Sequence, residues 1–190
     1  MITYRSKRPG GFTMIETVIV IAIGTSVIIA IALLVYNFNK ISAYNTISAR
    51  SSGSATAIMR EIESLVLPAN AVLQTHTFPN ASYTSTADSL VLEIPSIDIS
   101  GNIIASTYDY AAFYIVGTTN LYRVLQPNAL SARVSGTKLL SSTLSSLTIT
   151  YNDVDFTKVS VATVDIQTQA NAKQDILTDR RREQIRLRNH

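Results

Sequence analysis

A single carboxylate stands at the start of the longest apolar stretch in the chain. Gly11, Phe12 and Glu16 come directly before an uncharged run from Thr17 to Asn39. Glu16 lies four residues after Phe12, which is about 6 Å along a helix at 1.5 Å per residue. An ionised group at the centre of a membrane helix costs about 3 kcal/mol, and less near its ends. A carboxylate at this position therefore needs a compensating partner.

Cleavage of the chain after Gly11 would create such a partner. The new α-amino group of Phe12 would be cationic and would lie at the same membrane depth as the Glu16 carboxylate. The amine of a neighbouring subunit could then neutralise Glu16. The unpaired N–H groups of the first helical turn also favour a negative side chain there.

A basic leader comes before this site. The chain has 16 Lys and Arg against 13 Asp and Glu, and three of its basic residues (Arg5, Lys7 and Arg8) precede Gly11. The uncharged run is longer than the roughly 20 residues that cross a bilayer. Because the cleavage site comes before this run, the anchor remains on the mature chain. The basic flank predicts a cytoplasmic N-terminus and export of everything after Lys40.

Residues 10–16, with the sequence Gly-Gly-Phe-Thr-Met-Ile-Glu, resemble the N-terminal signature of type IV prepilins and type II secretion pseudopilins. The resemblance implies that a prepilin peptidase cleaves after Gly11 and N-methylates Phe12, and that Glu16 recruits the subunit into a filament. It implies three further partners: other pilin or pseudopilin subunits, an inner-membrane assembly platform, and the lipid bilayer before assembly. The ending Leu187-Arg188-Asn189 resembles that of larger minor pilins and minor pseudopilins.

A helical pattern continues beyond the apolar run. Positions three and four apart share one helical face, and they are Ile41, Tyr44, Ser48, Ser51, Ala55, Ile58, Ile62 and Leu65. Pro68 should end the helix near Leu67. We therefore predict a leader (1–11), a membrane and assembly half of the helix (12–39), an exported half (40–67) and a β-rich domain (68–190). The predicted fold is α+β, with a C-terminal antiparallel sheet packed on the exported half of a long N-terminal helix, as in pilins.

Short alternating segments separated by turn residues predict the strands. These segments are residues 89–94, ending at Pro95, and residues 108–116, 121–125, 147–151 and 159–166. Residues 117–120 predict the turn of a hairpin between the second and third of them. The Ser- and Thr-rich stretches 82–89 and 141–146 are expected to be loops or exposed edges.

Three further features suggest chemistry but favour ordinary structural roles. Five arginines between Arg180 and Arg188 could attract nucleic acid, yet they lack interleaved aromatic side chains, so a solvated strand edge is the favoured interpretation. Residues 152–155 (Asn-Asp-Val-Asp) supply about three oxygen ligands where calcium needs six to eight, which favours an Asx-type turn. His76 is expected in a loop without a catalytic role.

Three functions fit these residues. The favoured one is a structural subunit, a minor pilin or pseudopilin of a type IV pilus, secretion pseudopilus or competence filament. The second is a pilus-tip adhesin or DNA-binding minor pilin, and nucleic acid is the less favoured partner. The third is a signal-anchored exported enzyme with an uncut N-terminus and a pocket around His76. We expect no enzymatic activity, no catalytic residues, no cofactor and no metal.

Overall fold

The computed structural model describes Gly11, residues 13–172 and residues 175–188. Within these residues, one long α-helix is followed by strands and one short 3-10 helix at Phe156–Lys158. The helix α1 spans Met14–Val66, and the strands are β1 (Ala71–Val72), β2 (Thr75–Thr77), β3 (Ser82–Thr84), β4 (Leu90–Ile97), β5 (Ile103–Val116), β6 (Asn120–Gln126), β7 (Gly136–Ser141), β8 (Leu144–Tyr151), β9 (Val161–Ala172) and β10 (Asp175–Arg186). The α+β class predicted from the sequence is confirmed.

The helix ends where the sequence predicted. Leu67 N donates to the Glu63 carbonyl oxygen at 2.9 Å, which closes the last turn. Pro68 follows, and proline has no N–H with which to continue the helical hydrogen bonds. Contacts within the chain divide it into two units, the first ending at Tyr44 and the second beginning at Asn45.

The described part of the first unit is exposed along its whole length. No side chain between Met14 and Tyr44 is buried, although most are apolar. An 18-residue window of α1 reaches a mean hydropathy of 3.0, and none of that window is buried. By length and composition, this helix could span a membrane.

The second unit contains three antiparallel sheets among its described residues, where the sequence pattern predicted one. Five strands form the order β1-β4-β5-β6-β7, three form β10-β9-β8, and two form β2-β3. The single-sheet prediction was wrong because alternation identifies strands but not their partners. The three-stranded sheet meets the segment before β4 through Ile149 N, which donates to the Ala87 carbonyl oxygen at 2.7 Å.

The core of the second unit joins α1 to both larger sheets. Ile58, Ile62 and Val66 of the helix lie in one buried apolar cluster with Phe113 of β5 and Val164 of β9. The predicted helical stripe is buried only from Ser51 onward. Its first members are exposed, Ile41 by 60% and Tyr44 by 46%, so packing on the sheets begins later along the helix than the pattern suggested.

The hairpin of β5 and β6 matches its prediction. Val116 pairs with Asn120, and Gly117 adopts a φ of +68°, a left-handed conformation that glycine accepts without strain.

The predicted end of the first strand at Pro95 was wrong, because β4 continues to Ile97. The carbonyl oxygens of Val91 and Glu93 accept the backbone N–H groups of Leu73 and Asn70, respectively. The backbone N–H and C=O groups of odd-numbered residues of β4 therefore point toward β1. The pairing of β1 with β4 stops at Glu93. The missing N–H of Pro95 therefore interrupts no ladder bond.

An ion-pair network ties the helix to the edge of the five-stranded sheet. Glu61 contacts Arg123 of β6 through one carboxylate oxygen and Lys138 of β7 through the other, at 3.0 Å for the lysine. Glu61 and Arg123 are each about one-fifth exposed. This network fixes the orientation of β6 and β7 against the helix.

Candidate processing and assembly site

The start of α1 is held by a reciprocal pair of side chains. Thr13 N donates to Glu16 Oε2 at 2.8 Å, and the Thr13 hydroxyl donates to the same oxygen at 3.0 Å. Glu16 N approaches Thr13 Oγ1 at 3.3 Å. This arrangement is a capping box, in which an N-cap threonine and a glutamate three residues later satisfy unpaired N–H groups of the first turn.

Both bonds from Thr13 end on Oε2 of Glu16. Among the described residues, no donor contacts the other oxygen, Oε1. The side chain is exposed in the isolated chain, as are its neighbours in the first turns of the helix. The capping box thus orients the carboxylate through its Oε2 atom.

Gly11 lies in an open position immediately before the helix. A Cβ added at Gly11 would meet no heavy atom within 4 Å. No described residue therefore crowds the Gly11 side of the predicted cleavage point. Phe12, the predicted first residue of the mature chain, lies outside the described residues.

Hydroxyl groups further along the apolar helix are satisfied internally. Thr25 Oγ1 donates to the Ile21 carbonyl oxygen at 2.7 Å, and Ser26 Oγ donates to the Ala22 carbonyl oxygen at 2.8 Å. Such bonds to the preceding turn allow serine and threonine to remain in an apolar environment. Glu16 is therefore the one group between residues 13 and 39 whose charge requires a partner.

His76 does not lie in a loop as predicted. It belongs to β2, a short strand that pairs with β3 by placing His76 opposite Tyr83. Its ring stacks on Tyr110 with centroids 3.8 Å apart, and its Nε2 lies 3.3 Å from Gln126 Oε1. These contacts place His76 in an aromatic cluster on the face of the five-stranded sheet.

Residues 152–155 form the predicted Asx-type turn. Asp153 Oδ1 accepts the N–H of Asp155 at 2.9 Å, and Asp155 Oδ1 accepts the N–H of Thr157 at 3.1 Å. Asn152 Oδ1 accepts N–H groups of Ser160 and Val161. Within the described residues, no group of three or more His, Cys, Asp or Glu side chains is arranged to hold a metal ion.

The arginine-rich segment is the predicted solvated edge strand. β10 forms one edge of the three-stranded sheet. Arg180 binds Asp165 with both Nε and Nη2, at 2.9 and 2.5 Å, and Arg181 lies 3.5 Å from Asp179. The hydrogen bond from Arg180 lowers the pKa of Asp165. Two of the five arginines are thus directed toward carboxylates of the same chain.

The sequence analysis did not predict that Thr13 caps the helix together with Glu16. The signal was present, because Thr13 and Glu16 have the Thr-x-x-Glu spacing of a capping box before an apolar run. Comparison with known proteins found no matching family model, no similar curated protein and no similar solved structure. The geometry of the helix start and the exposed apolar helix therefore carry the functional argument.

Proposed function

We propose that this chain is a structural subunit, a minor pilin or pseudopilin, of a type IV pilus, type II secretion pseudopilus or competence filament. A prepilin peptidase cleaves it after Gly11 and N-methylates Phe12. Before assembly, the subunit lies in the inner membrane with its N-terminus in the cytoplasm and the residues after Lys40 exported. An assembly platform then transfers it into the fibre.

The observation that carries this proposal is the carboxylate of Glu16, held by the Thr13 capping box at the start of an exposed apolar helix. A helix whose apolar surface is exposed on all sides buries that surface either in lipid or against other helices. An anchor that only spans the membrane has no use for an ionisable group at this position. Polar and ionisable groups in membrane segments generally mark functional positions.

The proposed partner of Glu16 is the α-amino group of Phe12 in a neighbouring subunit. In lipid, this ion pair would compensate the charge that the Thr13 capping box satisfies only in part. The same charge pair would set the axial register between adjacent helices, because it forms only when the two N-termini lie at the same depth.

Two variants of the full chain, expressed in its native cells, test the proposal. Gly11→Val should leave the uncleaved precursor in the membrane, because a β-branched side chain would occupy the cleavage position. Glu16→Leu should be cleaved normally but should be lost from the sheared fibre fraction. Immunoblots of the membrane and fibre fractions measure both outcomes.

A matched control is Glu63→Leu, which removes a carboxylate from the same helix within the second unit. This variant should be cleaved and incorporated like the unmodified chain. Incorporation of Glu16→Leu at the level of this control would overturn the assembly role of Glu16. Normal processing of Gly11→Val would overturn the cleavage site.

A further inference from the structure

The second unit has two opposite ends that hydrogen bonds identify. At the end where α1 enters the unit, Thr168 Oγ1 donates to the Ser51 carbonyl oxygen at 3.2 Å. At the other end, Arg188 N donates to the Leu67 carbonyl oxygen at 2.9 Å. The helical rise over the steps from Ser51 to Leu67 separates these points by about 24 Å. We call them the entry end and the far end.

Two loops at the far end expose apolar side chains. Asn70, just beyond the helix, donates to the Glu93 carbonyl oxygen at 2.8 Å, and β4 runs past this point to the turn before β5. The loop between β6 and β7 lies beside it, because Ala132 N donates to the Ile97 carbonyl oxygen at 2.7 Å. The exposed side chains of these loops, which we call the apolar tip, are Ile99, Ile103, Leu130 and Val134.

The exposure of the tip is large, reaching 96% for Ile99 and 81% for Val134. Exposed apolar patches rimmed by polar residues are typical of interaction surfaces. Ser100, Asn102 and Ser131 supply such a rim here.

A buried carboxylate holds the two loops of the tip together. Asp109 is fully buried and accepts hydrogen bonds from Ser96 Oγ at 2.7 Å, Asn128 N at 2.8 Å, Ser131 Oγ at 2.7 Å and Arg133 Nη1 at 2.6 Å. Loops fixed in advance lose little conformational entropy when they bind a partner. The tip is therefore a preformed surface.

A second carboxylate gives the tip a negative charge. Asp98 Oδ1 accepts the N–H groups of Asn102 at 2.9 Å and Ser100 at 2.8 Å. The bonds from Asn102 contribute most to lowering the pKa of Asp98, so its carboxylate is ionised at neutral pH. No cationic side chain among the described residues pairs with Asp98.

The entry end of the same unit has a groove with complementary properties. It encloses about 710 Å³ between α1, the end of β7 and the end of β9. Its apolar lining includes Ile47, Leu139, Leu140 and Ala170, and Arg50 supplies its positive charge. Within the described part of the chain, Arg50 forms no ion pair or hydrogen bond with a side chain. A volume of this size is typical of sites that enclose several side chains or a small ligand.

We infer that the apolar tip of one copy docks into the entry-end groove of the next, with Ile99 entering the groove and Asp98 facing Arg50. The two surfaces match in apolar character and carry opposite charges. Because they are different surfaces at opposite ends of one unit, the contact is heterologous and repeats in an open chain instead of closing into a dimer. This contact deepens the proposed function, on which it rests, by adding a head-to-tail link between exported units of a fibre.

Cysteine cross-linking tests this contact directly, because the chain contains no native cysteine. Ser142 also lines the groove. The variant Ile99→Cys/Ser142→Cys therefore places one thiol on the tip and one in the groove. A short bis-maleimide applied to fibres of the native cell should link this variant into a ladder of dimers, trimers and longer species. Each single-cysteine variant should remain monomeric, because the facing surface of the next copy then carries no thiol.

The matched control is Val154→Cys/Ser142→Cys. Val154 is 97% exposed and lies in the loop after β8 at the far end, outside the tip. The inference requires that this pair give no ladder. Equal ladders from both pairs, or cross-links from Ile99→Cys to a different protein, would overturn the head-to-tail contact.

A charge variant provides the second measurement. Arg50→Glu in the Ile99→Cys/Ser142→Cys background should lower the yield of trimers by about tenfold, since close interfacial charge pairs contribute at least that much to affinity. Arg60→Glu, an exposed arginine elsewhere on the same helix, should leave the yield unchanged. Equal yields from both variants would refute the pairing of Asp98 with Arg50.

The same samples separate failure of the contact from failure of the proposed function. Mass spectrometry of the cross-linked chain reports whether it begins at Phe12. Correctly processed fibres without a ladder would refute the head-to-tail contact alone. An unprocessed chain that never enters fibres would refute the proposed function.

Discussion

Thr13 and Glu16 cap each other at the start of the long helix, with the Thr13 N–H and hydroxyl both donating to Glu16 Oε2 at 2.8 and 3.0 Å. The pair gives the carboxylate two roles that share one geometry. The carboxylate closes the first helical turn within the chain, and under the proposed function its second oxygen would bind the amine of a neighbouring subunit. Thr13 would then be a positioning residue for this carboxylate.

We predict that Thr13→Ala weakens incorporation into fibres without blocking cleavage. Loss of an N-cap side chain costs about 1 kcal/mol, which corresponds to a reduction of about fivefold in the incorporated fraction. Quantitative immunoblots of sheared fibres measure this fraction. Thr13→Ser keeps the hydroxyl and should restore incorporation, whereas equal losses from both substitutions would contradict a capping role.

We predict that Asp109→Asn destabilises the second unit more than the loss of a neutral donor around it. Removing one member of a buried charge network costs about 3–5 kcal/mol because Arg133 is left without its counter-charge. Ser131→Ala should cost only about 1 kcal/mol, since it removes one neutral donor. Urea denaturation of the full chain in detergent compares the two, and similar costs would contradict the central place of Asp109.

We predict that the Asp109 carboxylate makes the stability of the second unit decrease at acidic pH. Burial by itself would raise the pKa of Asp109, but hydrogen bonds from Asn128, Ser96, Ser131 and Arg133 outweigh it and lower the pKa. A carboxylate with a lowered pKa stabilises the fold at neutral pH and loses that contribution as the pH falls below about 4. The free energy of unfolding should therefore fall less steeply with decreasing pH in Asp109→Asn than in the unmodified chain.

We predict that Tyr151 contributes to alkaline unfolding. Burial raises its pKa to about 12, and its hydroxyl donates to the carbonyl oxygens of Thr86 and Ser89 at 3.1 and 3.0 Å. Because the pKa is raised on folding, its stabilisation is complete below pH 10 and is lost as the pH rises from about 10 to 12. The melting temperature, measured at several pH values across this interval, should decline steeply.

Tyr151→Phe should lower the free energy of unfolding by about 1 kcal/mol at neutral pH, because its hydrogen bonds are lost. The melting temperature of this variant should decline less steeply at alkaline pH. Some decline should remain, since burial also raises the pKa of Tyr114 to about 12. An unchanged slope in Tyr151→Phe would contradict the assignment.

Local signals in the sequence were sufficient for the helix and for one hairpin. Pro68 removes the N–H that would continue α1, and Gly117 accepts the positive φ of the turn between β5 and β6. Both effects act within a few residues, so the sequence pattern contains all the information that they need.

The errors came from the pairing between strands, which an alternating pattern does not specify. His76 lies in a strand because β3 pairs with it, and a three-residue strand is not stable without its partner. β4 continues through Pro95 because β1 is too short to require its N–H. The division into three sheets and the buried charge network around Asp109 also depend on contacts between segments far apart in sequence, which periodicity does not specify.

The sequence singles out Glu16 as a candidate site by its position alone, because it is a carboxylate directly before an uncharged run. Its cap by Thr13 was overlooked, although the spacing of the two residues indicates it. The apolar tip escaped prediction because Ile99 and Val134 come together only through the fold.

The mass of the N-terminal peptide, taken from the chain isolated from its native membranes or fibres, decides whether processing and assembly occur as proposed. We expect a mature chain that begins at Phe12 with a methylated α-amino group and lacks residues 1–11. A peptide that begins at Met1 in assembled material, or an unmodified anchor that never leaves the membrane, would contradict it.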